Sequence, residues 1–124
     1  MTAIPEKKLY TFEEYLALEA ASETRYEYWD GEVFAMAGTT RRHNVLVQNL
    51  AFLLRPFNRT NGCQTYAESI KQELRARSRY VYPDIIYACD PEDVEADDGQ
   101  WVKNPCLLIE VLSDSTAGVD REKK

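Results

Sequence analysis

Cys106-Leu107-Leu108-Ile109-Glu110-Val111-Leu112 is the stretch whose reading decides the fold. As an extended chain it is apolar on both faces, the mark of a central strand covered by helices, yet it carries a carboxylate in its interior. A second run of the same kind, Ile85-Ile86-Tyr87-Ala88-Cys89, follows directly on Tyr82-Pro83-Asp84. Two such strands among helices predict an α/β domain. An ionised carboxylate in such a core is costly unless it is paired or bound to metal. If Asp84 sits at the sheet end beside Glu110, the two charges repel, and either one takes a proton or a divalent cation bridges them. Hard oxygen ligands in small number suit Mg²⁺ or Mn²⁺. Two structural alternatives stand beside this: Asp84 as a turn residue after proline, and Glu110 as the partner of a buried Arg or Lys.

Outward from these strands, Thr11-Phe12-Glu13-Glu14 has the form of a capping box and opens a helix that should end near Ser22. Asp30-Gly31 joins Tyr26–Trp29 to Glu32–Met36 as a two-residue hairpin turn, because both positions tolerate positive φ. After Thr39 or Thr40 as cap, residues 43–54 place Val45, Val47, Leu50, Ala51 and Leu54 on one helical surface, and Pro56 should end or kink that helix. Residues 63–79 alternate loosely, as half-buried strands do. Residues 90–104 read as an acidic, solvated loop. Ser113-Asp114-Ser115-Thr116 offers helix caps, and the charged Asp120-Arg121-Glu122-Lys123-Lys124 follows without an apolar face, so the reading expects a piece of a longer chain.

The 124 residues are enough for one domain with a genuine core. Apolar runs of five residues, Leu50 to Leu54 and Ile85 to Cys89, are far too short for a membrane span, and the N-terminus has no stretch of signal-peptide length. Cys63, Cys89 and Cys106 match no zinc spacing and are expected as reduced thiols in a cytoplasmic protein. No phosphate-cradling glycine loop and no Ser-His-Asp arrangement is visible. The net charge of -6 hides a split: residues 41–79 carry 8 basic and 2 acidic side chains, while both ends are acidic. That basic middle is either a phosphate-facing stripe or a set of solvated arginines. His43, the one histidine, reads as a cap or packing residue ahead of a base. The tyrosines of the strands read as packing ahead of base stacking.

Taken together, these residues resemble the Uma-two family of restriction endonucleases in the PD-(D/E)XK nuclease superfamily. The likeness runs through Tyr10-Thr11-Phe12-Glu13-Glu14-Tyr15-Leu16, Glu27 with Asp30-Gly31-Glu32, His43-Asn44, Pro83-Asp84, and Glu110-Val111-Leu112-Ser113 with Ser115-Thr116. It implies a single restriction-endonuclease-like domain over residues 1–124, a mixed sheet with flanking helices, cut before a C-terminal helix and strand. It implies hydrolysis of DNA phosphodiester bonds with Mg²⁺ (or Mn²⁺), with Asp84 and Glu110 as metal ligands and Glu27 as a third acidic member that binds a second cation or pairs with the lysine. The superfamily's usual lysine, two residues after the acidic one, is absent, since that position is Leu112. The family's replacement looks like Asp120 with Lys124, Lys123 being the alternative. Leu112 keeps a second reading open, a catalytically inactive nuclease fold that binds nucleic acid or protein. A third is a homodimer scaffold formed by exposed strands pairing between chains.

Overall fold

The computed structural model describes residues 8–95 and 101–112. Its elements are α1 (Phe12–Ala20), β1 (Tyr26–Trp29), β2 (Glu32–Ala35), α2 (Arg41–Asn61), β3 (Gln64–Ala67), β4 (Gln72–Arg75), β5 (Arg79–Val81), β6 (Ile85–Ala88), α3 (Pro91–Val94) and β7 (Pro105–Ile109). Helices and antiparallel sheets combine in a mixed α/β fold, and the chain divides into two compact units.

The first unit holds the described residues up to Ala37 together with Glu73–Val81. Its helix begins where the capping box places it: Glu14 N–H donates to Thr11 Oγ1 at 3.1 Å and Thr11 N–H to Glu14 Oε1 at 2.8 Å. The hairpin turns at Asp30 (φ 49°) and Gly31 (φ 99°), with Trp29 paired to Glu32. Strands run in the order β2-β1-β5-β4. The core is aromatic: Tyr15 stacks on Tyr28 at 4.8 Å and Phe12 on Tyr80 at 5.0 Å between ring centroids. Each buried phenol finds a partner, Tyr15 donating to Tyr26 O, Tyr28 to Tyr10 O and Tyr80 to Glu73 Oε2. Tyr28 and Tyr80 are therefore packing residues. Arg79 closes the hairpin end by donating to Asp30 Oδ2 at 2.8 Å, which holds the Asp30 carboxyl below its ordinary range.

The second unit holds residues 38–72 and the described residues from Tyr82 onward. Thr40 caps α2 by accepting from His43 N–H at 3.1 Å, and Gly62 ends it in the left-handed region. The break expected at Pro56 does not occur; the helix runs to Asn61. Pro56 is exposed inside the helix, so its ring meets solvent and its missing N–H costs one helical bond that the rest of α2 outlasts. The expected buried surface of α2 also narrows. Val47 is buried and Leu50, Ala51 and Leu54 are half-buried, but Val45 is exposed, as are Leu46, Phe52, Leu53 and Phe57.

The second sheet has the order β3-β6-β7, all antiparallel. Ile85, Ile86 and Ala88 are buried, as a covered central strand requires, and Ile86 and Ala88 join Val102, Tyr66, Ile70, Val94 and Leu108 in one cluster. β7 departs from that expectation: Cys106 and Leu107 are exposed, because among the described residues β7 has a partner strand on one side only. The expected reduced thiols are corrected too. Cys63 and Cys89 are joined as a disulfide with Cα atoms 4.0 Å apart. The register explains it, since Gln64 pairs with Ala88 and the next step sets Cys63 opposite Cys89. Cys106 is free.

The described part of the acidic segment holds a short helix, α3 (Pro91–Val94). Asp90 caps the short α3, and the buried Asp93 accepts from the backbone N–H groups of Lys103 (2.9 Å) and Asn104 (2.7 Å), fixing the entry to β7. The Asp98-Gly99 turn, the Ser113–Thr116 caps, Asp120, Lys123 and Lys124 lie outside the described residues. Among the described residues no helix is long and apolar enough to cross a membrane.

Candidate metal centre

Asp84 is the residue about which the site is built. It immediately precedes β6, and its backbone carbonyl accepts from Glu68 N–H at 2.9 Å, which prolongs the β3–β6 ladder by one step. Ala67 pairs with Ile85, so Glu68 stands opposite Asp84. On the other side Ile85 pairs with Ile109, so the same extension sets Glu110 opposite Asp84. Glu68, Asp84 and Glu110 are therefore the residues next past the last pairs at one end of the β3-β6-β7 sheet. Residues paired directly across strands present their side chains on the same face.

Glu68 and Ser69 both have positive φ, 41° and 68°, values that non-glycine residues seldom adopt. A strain of this kind is held by its surroundings, and it turns the chain out of β3 just where the carboxylate is needed. Asn44 Nδ2 donates to Glu68 Oε2 at 3.3 Å. The other oxygen, Oε1, is buried and has no hydrogen-bond partner.

His43 comes from the first turn of α2. Its Nε2 lies 3.1 Å from Asp84 Oδ2 and 3.1 Å from Val111 O, and its Nδ1 lies 2.9 Å from Thr39 Oγ1 and 3.7 Å from Glu68 Oε1. Two acceptors face Nε2, so in this arrangement Nε2 carries the proton and Nδ1 accepts from the Thr39 hydroxyl. Val111 N–H donates to Asp84 Oδ2 at 2.6 Å. The backbone N–H and C=O of Val111 therefore hold Asp84 and His43 respectively. Among the described residues, the hydrogen bonds of the Asp84 carboxylate all fall on Oδ2.

His43, Glu68 and Asp84 form a half-buried group whose ligand atoms lie within 4.8 Å of one another. A nitrogen and two carboxylates, one of them with a buried oxygen left without a donor, make a donor set that fits a divalent ion. Glu110 is half-buried just past β7 and is not a member of that group. Glu27 is buried on β1 in the first unit, paired with Phe34. Lys124 lies outside the described residues. Sequence reasoning missed Glu68 and underweighted His43. The signal available was the one histidine sitting directly behind the Thr39-Thr40 caps; Glu68 carried none, because its part depends on register.

The mixed α/β fold has a counterpart among solved structures. The solved structure of a protein described as a putative nuclease belonging to DUF820, from Anabaena variabilis, superposes with a TM-score of 0.70 at 16% identity, over 91% of this chain and 64% of that one. Residues 12–124 match the Uma2 family model, described as "Putative restriction endonuclease", and the chain belongs to that family. Two Synechocystis proteins, both described as uncharacterized, are similar: slr1290 at 34% identity over 90% of this chain and 58% of its own length, and sll1609 at 29% over 100% and 70%. The chain thus spans less than two thirds of slr1290 and of the solved nuclease.

Proposed function

We propose that the protein is a divalent-metal-dependent endonuclease that hydrolyses DNA phosphodiester bonds, with Asp84 and Glu110 as the carboxylates that hold Mg²⁺ or Mn²⁺. The observation that carries this reading is that Asp84 and Glu110 are the residues next past the pair of Ile85 with Ile109, at one end of two adjacent strands, in a chain that belongs to a restriction endonuclease family. A divalent ion, when bound, supplies a nucleophilic water near neutral pH and neutralises charge building on phosphorus. Asp84 is held ready for that work by Val111 N–H and His43, which fix Oδ2. Lys124, with Lys123 as the alternative, orients the attacking water or the transition-state oxygen. Arg41, Arg42, Arg55 and Arg59 are exposed along α2, the helix that carries His43, and supply contacts to phosphate. Incubating the complete protein with supercoiled plasmid and Mg²⁺ or Mn²⁺ tests this: nicked and linear forms should appear and be suppressed by a chelator. Cleavage indifferent to the chelator would refute metal dependence.

Leu112, half exposed where the superfamily has its lysine, favours a second reading, a nuclease fold that binds nucleic acid without cutting. Metal-independent DNA binding with no cleavage by the complete protein would select it.

A further inference from the structure

We infer that His43 and Glu68 are themselves ligands of the ion that Asp84 holds, so that the site takes one imidazole nitrogen among its oxygens and prefers Mn²⁺ over Mg²⁺. This rests on the metal-dependent reading above and adds to it two ligands and a choice of ion. The His43 Nε2 to Asp84 Oδ2 separation is 3.1 Å. Two atoms bound to one ion at about 2.1 Å lie about 3 Å apart when they are neighbours in an octahedron, so this pair already has the spacing of adjacent ligands. For Nε2 to bind, its proton must leave and the other ring nitrogen must carry one. The surroundings of Nδ1 accept that change without losing a hydrogen bond. Thr39 Oγ1, 2.9 Å away, can accept from Nδ1–H while donating its own proton to Thr40 O at 3.3 Å. A ligating histidine whose other N–H is held by a fixed acceptor is the usual arrangement at protein metal sites.

Glu68 supplies an independent mark. Asn44 occupies Oε2, whereas Oε1 is buried without a donor on the side of the imidazole, 3.7 Å from Nδ1. A lone carboxylate oxygen in that position is costly unless a cation meets it. The three ligands come from α2, the end of β3 and the start of β6, so the fold fixes them before any ion arrives. Mg²⁺ is bound chiefly by oxygen and keeps its waters, whereas an imidazole suits first-row transition ions, which shifts preference to Mn²⁺.

The test is Mn²⁺ and Mg²⁺ binding to the complete protein by calorimetry, with pulsed electron paramagnetic resonance of the bound Mn²⁺ to detect coupling to a ligand nitrogen. Wild type should bind Mn²⁺ about 10-fold or more tighter than Mg²⁺ and show the nitrogen coupling. His43→Ala should abolish that coupling, weaken Mn²⁺ about 10- to 100-fold and bring the two affinities close together; Glu68→Gln should weaken both ions. Circular dichroism of both variants without metal establishes that they fold, and an Ala/Gln pair at His43 guards against a single misfolded variant. Mn²⁺ bound with no nitrogen coupling, or with affinity unchanged in His43→Ala, overturns the inference. The metal-dependent reading would survive that result if Asp84→Asn still removed binding, and would fall with it if neither ion bound the wild type.

Discussion

A single carboxylate, Asp84, carries most of the proposed chemistry. Its Oδ2 accepts from Val111 N–H and faces His43 Nε2, an arrangement that sets both side chains with bonds to the backbone of one residue, Val111. Pro83-Asp84 marks the residue in the sequence, because a carboxylate at the mouth of an apolar strand asks for a partner. Glu68 had no such mark; it sits in a polar stretch and reaches Asp84 only through cross-strand pairing. A second residue-scale consequence concerns Tyr80, whose burial pushes the phenol up to about 12 from its ordinary 10.0. The folded state thus favours the protonated phenol. Its contribution to stability is complete below about pH 10 and is lost as pH rises toward 12. Melting curves between pH 9 and 12 should therefore fall more steeply for wild type than for Tyr80→Phe; parallel curves would show that Tyr80 does not govern the alkaline limb.

Among the elements, those fixed by local rules were legible. The Thr11 capping box, the Asp30-Gly31 hairpin and the buried β6 follow from neighbours within four residues, where hydrogen-bonding partners and φ preferences are written into the sequence. What depends on distant partners was not. The exposure of β7, the persistence of α2 through Pro56 and the bond between Cys63 and Cys89 are set by which strand or solvent each residue meets. That disulfide staples the ends of β3 and β6 opposite to those that carry Glu68 and Asp84. Thiol titration of the denatured, unreduced protein should find one free cysteine, rising to three after reduction. Closing a loop of 26 residues stabilises by about 3 kcal/mol in the chain-entropy model, so Cys63→Ser should lower the melting temperature by several degrees. Three free thiols before reduction would contradict the bond. On α2, single Arg→Ala changes at positions 41, 42, 55 and 59 should weaken duplex binding, measured with Ca²⁺ to prevent cleavage. Removing an arginine that neutralises one phosphate should reduce the slope of log K against log salt by about 0.9; slopes that do not move would take α2 out of the interface.

At the scale of the whole molecule, the net charge of -6 does not exclude DNA, because it averages over segments of opposite sign. Part of the basic middle is already engaged in the first unit, where Arg77 pairs with Glu13 and Arg79 with Asp30, and each lies over an aromatic ring. The four arginines of α2 stay exposed in the second unit, which also holds the His43, Glu68 and Asp84 group. The family, the mixed α/β fold and that cluster converge on one account, in which the acidic row at the strand ends holds the ion and α2 meets the backbone of the nucleic acid. Its central claim is tested most directly by plasmid cleavage with the complete protein carrying Asp84→Ala or Glu110→Ala, compared with wild type in Mg²⁺ and in Mn²⁺. The account predicts that either substitution lowers the cleavage rate by about 100-fold or more while leaving the fold intact by circular dichroism; cleavage at the wild-type rate in both variants would contradict it.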